Sequence, residues 1–548
     1  MTRTTMRASN PGRATVPLLF GFGTEGAEQH LLPWLAQNVA AVFTILLSLA
    51  LIALLGALVY ALWRELRRST IVLDPLEVPR ELAERGYTPA VVTERLLDAI
   101  HTIQSVASTQ KPRRGHVASA LQADIQIPVG QLSIKSFARY FRQLFDRPDQ
   151  RLAGEITRDG DAFTLQLRRR DGTRIAQGRP RAAADVAPLV AAGAEEAVRL
   201  TDPYVLASYY MEQELPGPAF PRTEEALRHV LDTRPDEAPW ACDLQGLLHL
   251  NRGENEPALA VLRRGFAADP DMQSPIVEDL VSALVRTGRT DEAQAIVRSA
   301  AARSLGADPR TRIGWCYAIL GQHRSALGQF RRVLAVHRKH AYALFGLAVC
   351  LWRLHRPQKA VTTLEDFFRA RGPGWTATHV YACALVDAGR LDDAARFAED
   401  LYARYPLESA AMAALAAVRL RQGRYADAAA LAEAGTKRWS LRSLNWQFWG
   451  EALLALGDAE AARAKFERLL AQDAPTSDAI CGCARALFAL GHRDLALARF
   501  AEAAKIDPAN ARNFLHWGNA LRDAGRTVEG DAMVAKAAKL AARQGLAL

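Results

Sequence analysis

The chain has 548 residues, 49% of them hydrophobic, 23% charged and 7% aromatic, with 69 basic against 59 acidic side chains and six cysteines. These proportions exclude a disordered chain and a disulfide-stapled scaffold. A net charge of +10 over this length is no nucleic-acid footprint, which needs basic residues gathered on one surface, so no nucleic-acid partner is expected.

Residues 1–38 are expected to be a disordered tail, with turn-forming stretches such as Ser9-Asn10-Pro11-Gly12. Gly21, Gly23 and Gly26 have the spacing of a dinucleotide-binding loop. That loop works only between a strand and a helix N-terminus, and neither is signalled here, so no cofactor is expected. Val39 to Trp63 is a run of 25 residues without a charge. At about 1.5 Å per residue it exceeds a hydrocarbon layer of roughly 30 Å, and Trp34, Tyr60 and Trp63 lie where aromatic rings favour the interface. We expect a transmembrane helix over 39–63. Arg64, Arg67, Arg68 and Arg80 follow it, whereas Glu25 and Glu28 precede it. This asymmetry places the long C-terminal part in the cytoplasm; Arg3, Arg7 and Arg13, further out, keep the reverse orientation open.

Residues 70–201 predict a small α+β domain. Ile71–Val78 has strand composition, and Pro89–Ala107 has helical apolar spacing behind Thr88 as N-cap. An edge strand over Asp124–Val129 and an amphipathic helix over Ser133–Phe145 come next. Strands over 151–158, 162–169 and 174–178 are separated by Asp159-Gly160 and Asp171-Gly172, strong hairpin turns, and a helix over Pro188–Leu200 closes the unit. Arg168, Arg169 and Arg170 suit either solvent or anionic headgroups.

Residues 203–548 are periodic. A turn position recurs at Gly253, Gly288, Gly321, His355, Gly389, Gly423, Gly457, Gly491 and Gly525. Five residues later stand Ala258, Ala293, Ala326, Ala360, Ala394, Ala428, Ala462, Ala496 and finally Gly530. Nine later, Leu262, Val297, Phe330, Leu364, Ala398, Ala432, Phe466, Phe500 and Val534 are apolar or small. Glycine at the turn takes φ > 0 to end one helix. The small residue lets the next helix approach, and stacked neighbours complete a core that one helix pair cannot close. This pattern, closest at Trp446-Gln447-Phe448-Trp449-Gly450 with Gly457, Ala462 and Phe466, resembles the tetratricopeptide repeat (TPR) family. The resemblance covers nine units over 238–541 and a degenerate one at 203–236. His355 and Gly530 depart from it, as does a scarcity of large first-helix aromatics.

The resemblance implies an α-solenoid that binds extended peptides along a concave face. Carried over unit by unit, that face would present Trp315, Tyr342, Phe345, Trp352, Arg353, His379, Arg421, Arg485, Asn519 and Arg522, together with Asp387, Gln447, Glu451, Phe488 and Arg512. Some of these aromatics are equally suited to the core between repeats. Asn519 lacks the neighbouring lysines of the chaperone-tail clamp. The whole arrangement also looks like membrane-anchored TPR proteins of Gram-negative bacteria, which implies a single-pass protein of the bacterial inner membrane.

No catalytic set is legible. His492-Arg493-Asp494 spells a kinase triplet without its companions, and Cys481 and Cys483, two apart on a helix, face different ways, so no metal is expected. The expected function is a membrane-anchored, non-catalytic scaffold for protein or peptide partners. The alternatives are an envelope-assembly or secretion component with periplasmic repeats, or a sensor or enzyme whose α+β domain carries the activity.

Overall fold

A computed structural model describes residues 43–44, 46–53, 55–56, 71–107, 109, 111, 117–119, 150–171, 174–215, 217, 219–303, 306–371, 377–438, 443–472 and 475–545. The first unit contains β1 (Ile71–Leu73), α1 (Arg80–Glu84), α2 (Pro89–Val106), β2 (Val117–Ser119), β3 (Gln150–Asp159), β4 (Ala162–Asp171), β5 (Arg174–Gln177), β6 (Arg181–Ala183) and α3 (Val186–Thr201). The sheet order is β2-β1-β3-β4-β5, with β6 also on β4. β1 runs parallel to β2 and β3, while β3 and β4 form an antiparallel hairpin from Gln150↔Asp171 to Asp159↔Ala162. Asp159 pairs with Ala162, so the two-residue turn is Gly160-Asp161, with Gly160 at φ 59° in the first central position, one residue on from the Asp-Gly that the spacing suggested.

The helices over 89–107 and 188–200 and the three arginine-rich strands lie where their patterns put them, and Thr88 caps α2 by accepting from the Val91 N–H. The first strand is shorter than its composition suggests. After Leu73 comes Pro75, which has no N–H to give, and the chain rejoins the sheet only at a bridge between Glu77 and Glu155. The expected strand over 124–129 and helix over 133–145 lie outside the described residues, as does the tail over 1–38. α1, β2 and β6 span five residues or fewer, too short for periodicity to signal.

Alternation along the hairpin turns Leu152, Ile156, Phe163, Leu165 and Leu167 inward, against Leu96 and Ile100 of α2 and Leu189 and Ala194 of α3. The same apolar cluster continues into α4 (Pro203–Glu214), α5 (Pro221–Thr233) and α6 (Ala238–Asn251) through Tyr204, Leu206, Phe220, Leu227 and Trp240. The sheet unit and the first helix pairs therefore share one core. A buried ion cluster fastens the junction: Lys111 Nζ lies 2.7 Å from both Asp202 Oδ1 and Glu237 Oε2. Buried charges persist only when matched in this way.

From α4 onward the chain is helical. α6 pairs with α7 (Asn255–Ala267), α8 (Ile276–Arg286) with α9 (Thr290–Ala301), and α10 (Ala307–Ile319) with α11 (His323–Val336). α12 (Ala341–Arg353) pairs with α13 (Pro357–Arg371), α14 (Thr378–Asp387) with α15 (Leu391–Arg404), and α16 (Ser409–Arg421) with α17 (Tyr425–Arg438). α18 (Ser443–Ala455) pairs with α19 (Ala459–Gln472), α20 (Ser477–Ala489) with α21 (Arg493–Ile506), and α22 (Ala511–Asp523) with α23 (Thr527–Gln544). With α4 and α5, the described residues hold ten such pairs in a mainly α solenoid.

The turn glycines between paired helices all have φ between 72° and 87°, and His355 takes the same left-handed turn at 55°. The alanines five residues on, from Ala258 to Ala496, are completely buried at the crossing of each pair. The residues at +9 are buried beside them, except Val534 in the last unit, which is half-buried.

Much of the expected membrane span over 39–63 falls outside the described residues. Within it, residues 43–44, 46–53 and 55–56 are helical, and Phe43, Leu47 and Ile52 are at least 60% exposed. No helix of the described residues is long and apolar enough to cross a membrane.

Candidate functional site

First-helix residues of distant units meet across the solenoid, which shows that the first helices line its inner face. Asp387, at the end of α14, is the meeting point. Its Oδ2 accepts the Trp352 indole N–H from α12 at 2.7 Å. Its Oδ1 lies 2.8 Å from Arg512 Nη2 of α22 and 3.6 Å from Arg421 Nη2 of α16. Arg512 is 125 positions from Asp387 along the chain. The Arg353 guanidinium lies over the Trp352 ring, 4.8 Å from its centre. Nearby, Gln447 Nε2 donates to Glu451 Oε1 at 3.1 Å. His516 is pushed down to about 4, first by burial and then by the charges of Arg485 and Arg512, so its ring is neutral among arginines.

A second contact spans the coil beside this cluster. His355 Nε2 lies 2.7 Å from Asp507 Oδ2, at the end of α21. Burial pushes the Asp507 carboxyl up, but the hydrogen bond and charge of His355, the Ala509 N–H and the His323 charge together outweigh it and hold the group below the usual range.

The residues expected on the concave face thus divide. Trp352, Arg353 and Arg421 gather with Asp387 and Arg512; Arg485 is half-buried close by. Trp315, Tyr342 and Phe345 form a separate aromatic group with ring centres 5.1–5.3 Å from Trp315. In that group Phe345 belongs to the core, 8% exposed against Phe367, while the Trp315 indole edge is half-buried against Phe330. His379 is half-buried on α14. Asn519 and Arg522 are exposed in the last pair, and Arg522 Nε bonds Asp531 Oδ1 at 2.7 Å.

An acidic cluster outside the expected binding residues lies toward the other end of the array. Tyr342 donates to Glu278 Oε2 at 2.7 Å, and Arg312 Nη1 reaches Glu278 Oε1 at 3.2 Å. Burial, only partly offset by Arg312, pushes Glu278 up to about 7. Asp243 and Asp279 share a hydrogen bond between their carboxyls; burial and Asp279 together raise Asp243. Asp243 and Glu278 each stand ten residues before a turn glycine, the spacing that selects Phe345, His379 and Gln447, so the same register contained the signal. Among the described residues, no group of three or more His, Cys, Asp or Glu is placed to hold a metal ion.

A tetratricopeptide repeat family model matches residues 317–374 and 382–441. No curated protein sequence matches the chain. Among solved structures, the APC/C hetero-tetramer Cut9-Hcn1 is similar at 13% identity and a TM-score of 0.49, over 64% of this chain and 68% of that one. Human IFIT1, crystallised as a dimer with m7Gppp-AAAA, is similar at 16% identity and a TM-score of 0.41, over 60% and 82%. A tetratricopeptide repeat protein from Parabacteroides merdae is similar at 13% identity and a TM-score of 0.32, over 52% and 99%.

Proposed function

The chain is a tetratricopeptide-repeat protein, and on that premise we propose that it is a non-catalytic scaffold, anchored in a bacterial inner membrane by residues 39–63, that holds protein partners on the inner face of its cytoplasmic repeats. The observation that carries this reading is the inner face itself. Tryptophan and arginine side chains from first helices of separated units converge there around Asp387. Half-buried Trp and Arg are the usual anchors of protein interfaces. Anchoring is supported by the exposed apolar surface of the helical residues between 43 and 56, a surface that hydrocarbon would cover. Orientation rests on the arginines after residue 63.

Two measurements test it. A photo-crosslinking residue at Trp352 should capture discrete proteins from native membranes, whereas one at Arg499, on the second helix of its pair, should not. Equal capture at both positions overturns the inner-face reading. Fusions after residue 548 test the anchor. A fluorescent, phosphatase-negative fusion in the membrane fraction is expected, and a phosphatase-positive one moves the repeats to the periplasm.

A further inference from the structure

Two bonds join the same two parts of the array across its interior. One ties Asp387 of α14 to Arg512 of α22, Oδ1 to Nη2 at 2.8 Å. The other ties His355, in the turn after α12, to Asp507 at the end of α21, Nε2 to Oδ2 at 2.7 Å. The partners are 125 and 152 positions apart, so roughly four repeats lie between them in each case. No buried apolar cluster reinforces these bonds. Among the described residues, the clusters of the middle units run from Ala326 to Val418 and from Cys383 to Phe448. Those of the last units run from Ala462 to Ala496 and from Ile480 to Ala520, and none draws on both parts. Each part is therefore packed on its own account. Their junction is a pair of charge-assisted bonds, whose groups water can serve equally once they separate.

The junction lies on the face that would hold a partner. Trp352 gives its indole N–H to Asp387 Oδ2, and Arg421 reaches the same carboxylate loosely at 3.6 Å. Where α22 meets α14 through a direct side-chain bond, no width remains for a polypeptide between them. We propose that the two bonds form a latch: they hold this part of the inner face shut, and a protein partner gains Trp352 and Arg421 only when the last units swing away. This rests on the reading of the inner face as the binding face and specifies how access to it is regulated. The apparent affinity for a partner is lowered by the fraction of chains that are open. Weakening the latch therefore strengthens binding without adding a contact. His355 fits this part, because its turn runs at φ 55° and its ring reaches past the turn to Asp507.

The test uses the full chain in a nonionic detergent, with His355→Gly and Asp507→Ala as two independent ways of cutting the latch without touching Trp352 or Arg421. Access is read at a thiol introduced by Arg421→Cys, since the six native cysteines are buried. Its rate with a polyethylene-glycol maleimide is set against its rate with N-ethylmaleimide, which is small enough to enter the closed coil. Either latch variant should raise the bulky reagent's rate about tenfold, the factor that loss of one charged hydrogen bond gives, and leave the small reagent's rate unchanged. Both rates rising together, or neither rising, overturns the latch. Photo-crosslinking at Trp352 should capture more protein in the two variants than in the parent. Capture that stays level or falls while the bulky reagent's rate rises makes the closed coil the binding form and overturns the proposal. Capture absent from parent and variants alike overturns the inner-face reading itself, and with it any gating of a partner.

Discussion

Phe466 fills space that two glycines leave open. A Cβ on Gly450 would lie 2.7 Å from its ring, and one on Gly482, in the next unit, 2.4 Å. Phe330 is held in the same way between Gly314 and Gly346. The large residue is supplied by the second helix, and the first helices of its own and the following unit thin to glycine to receive it. Gly482→Ala should destabilise by about 1–3 kcal/mol through overpacking. Phe466→Leu in the same chain should return part of that loss, because contacting sites are not additive. Urea denaturation of the single and double variants checks this; strictly additive losses would show that the two residues do not press on each other. His355 has the opposite character, a bulky residue at φ 55° where every other turn position has glycine. The left-handed conformation costs it about 1–2 kcal/mol, which the bond to Asp507 offsets. His355→Gly should therefore change stability little. Asp507→Ala, which keeps the strained turn and removes its partner, should cost about 1–2 kcal/mol. Equal losses in both variants would show that turn strain is negligible.

At the scale of helices, α6, α8, α10 and α12 bring Asp243, Glu278, Asp279, Arg312 and Tyr342 together, and this gives stability a pH dependence. Burial raises the folded-state affinity of Glu278 for its proton from the ordinary 4.5 to about 7. Below the ordinary value the group is protonated in both states and costs nothing. As pH rises from about 4.5 to 7 the unfolded chain releases the proton first, so stability falls across that window, by on the order of 3 kcal/mol for this group alone. Asp243 and Asp279 add to the fall in the same direction, since their shared hydrogen bond requires a proton. Asp279→Asn supplies an amide N–H in place of that proton and should flatten the fall. Melting temperatures from pH 4 to 8 measure it, and a variant with the parent's slope would remove the carboxyl pair from the account.

The whole array is coiled tightly enough that its ends touch its middle. Arg438, at the end of α17, donates to the Leu215 carbonyl and, at 3.0 Å, to that of Glu212, 226 positions earlier. His355–Asp507 and Asp387–Arg512 join the middle to the far end. In a solenoid each unit otherwise contacts only its neighbours, so these few polar links limit how far the coil can open. Arg438→Ala combined with Asp507→Ala should enlarge the radius of gyration in small-angle scattering while helix content stays unchanged. An unchanged radius would mean that neighbour packing alone sets the coil.

The repeat itself was determined by the sequence, because its causes are local. Glycine ends a helix through its own φ, and the alanine five residues on sits at its own pair's crossing, so spacing alone located both. Hairpins at the Asp-Gly sequences were legible for the same reason, to within a residue. Which first-helix side chains face a partner and which face a neighbour depends on the angle between units, and spacing carries no angle. Phe345 and Trp352 therefore fit one pattern, yet the first lies in the core and the second reaches Asp387. Only the tertiary structure brought Arg512 to Asp387 and Asp507 to His355. Small rotations between successive units add up over several repeats, and their sum decides which distant residues meet.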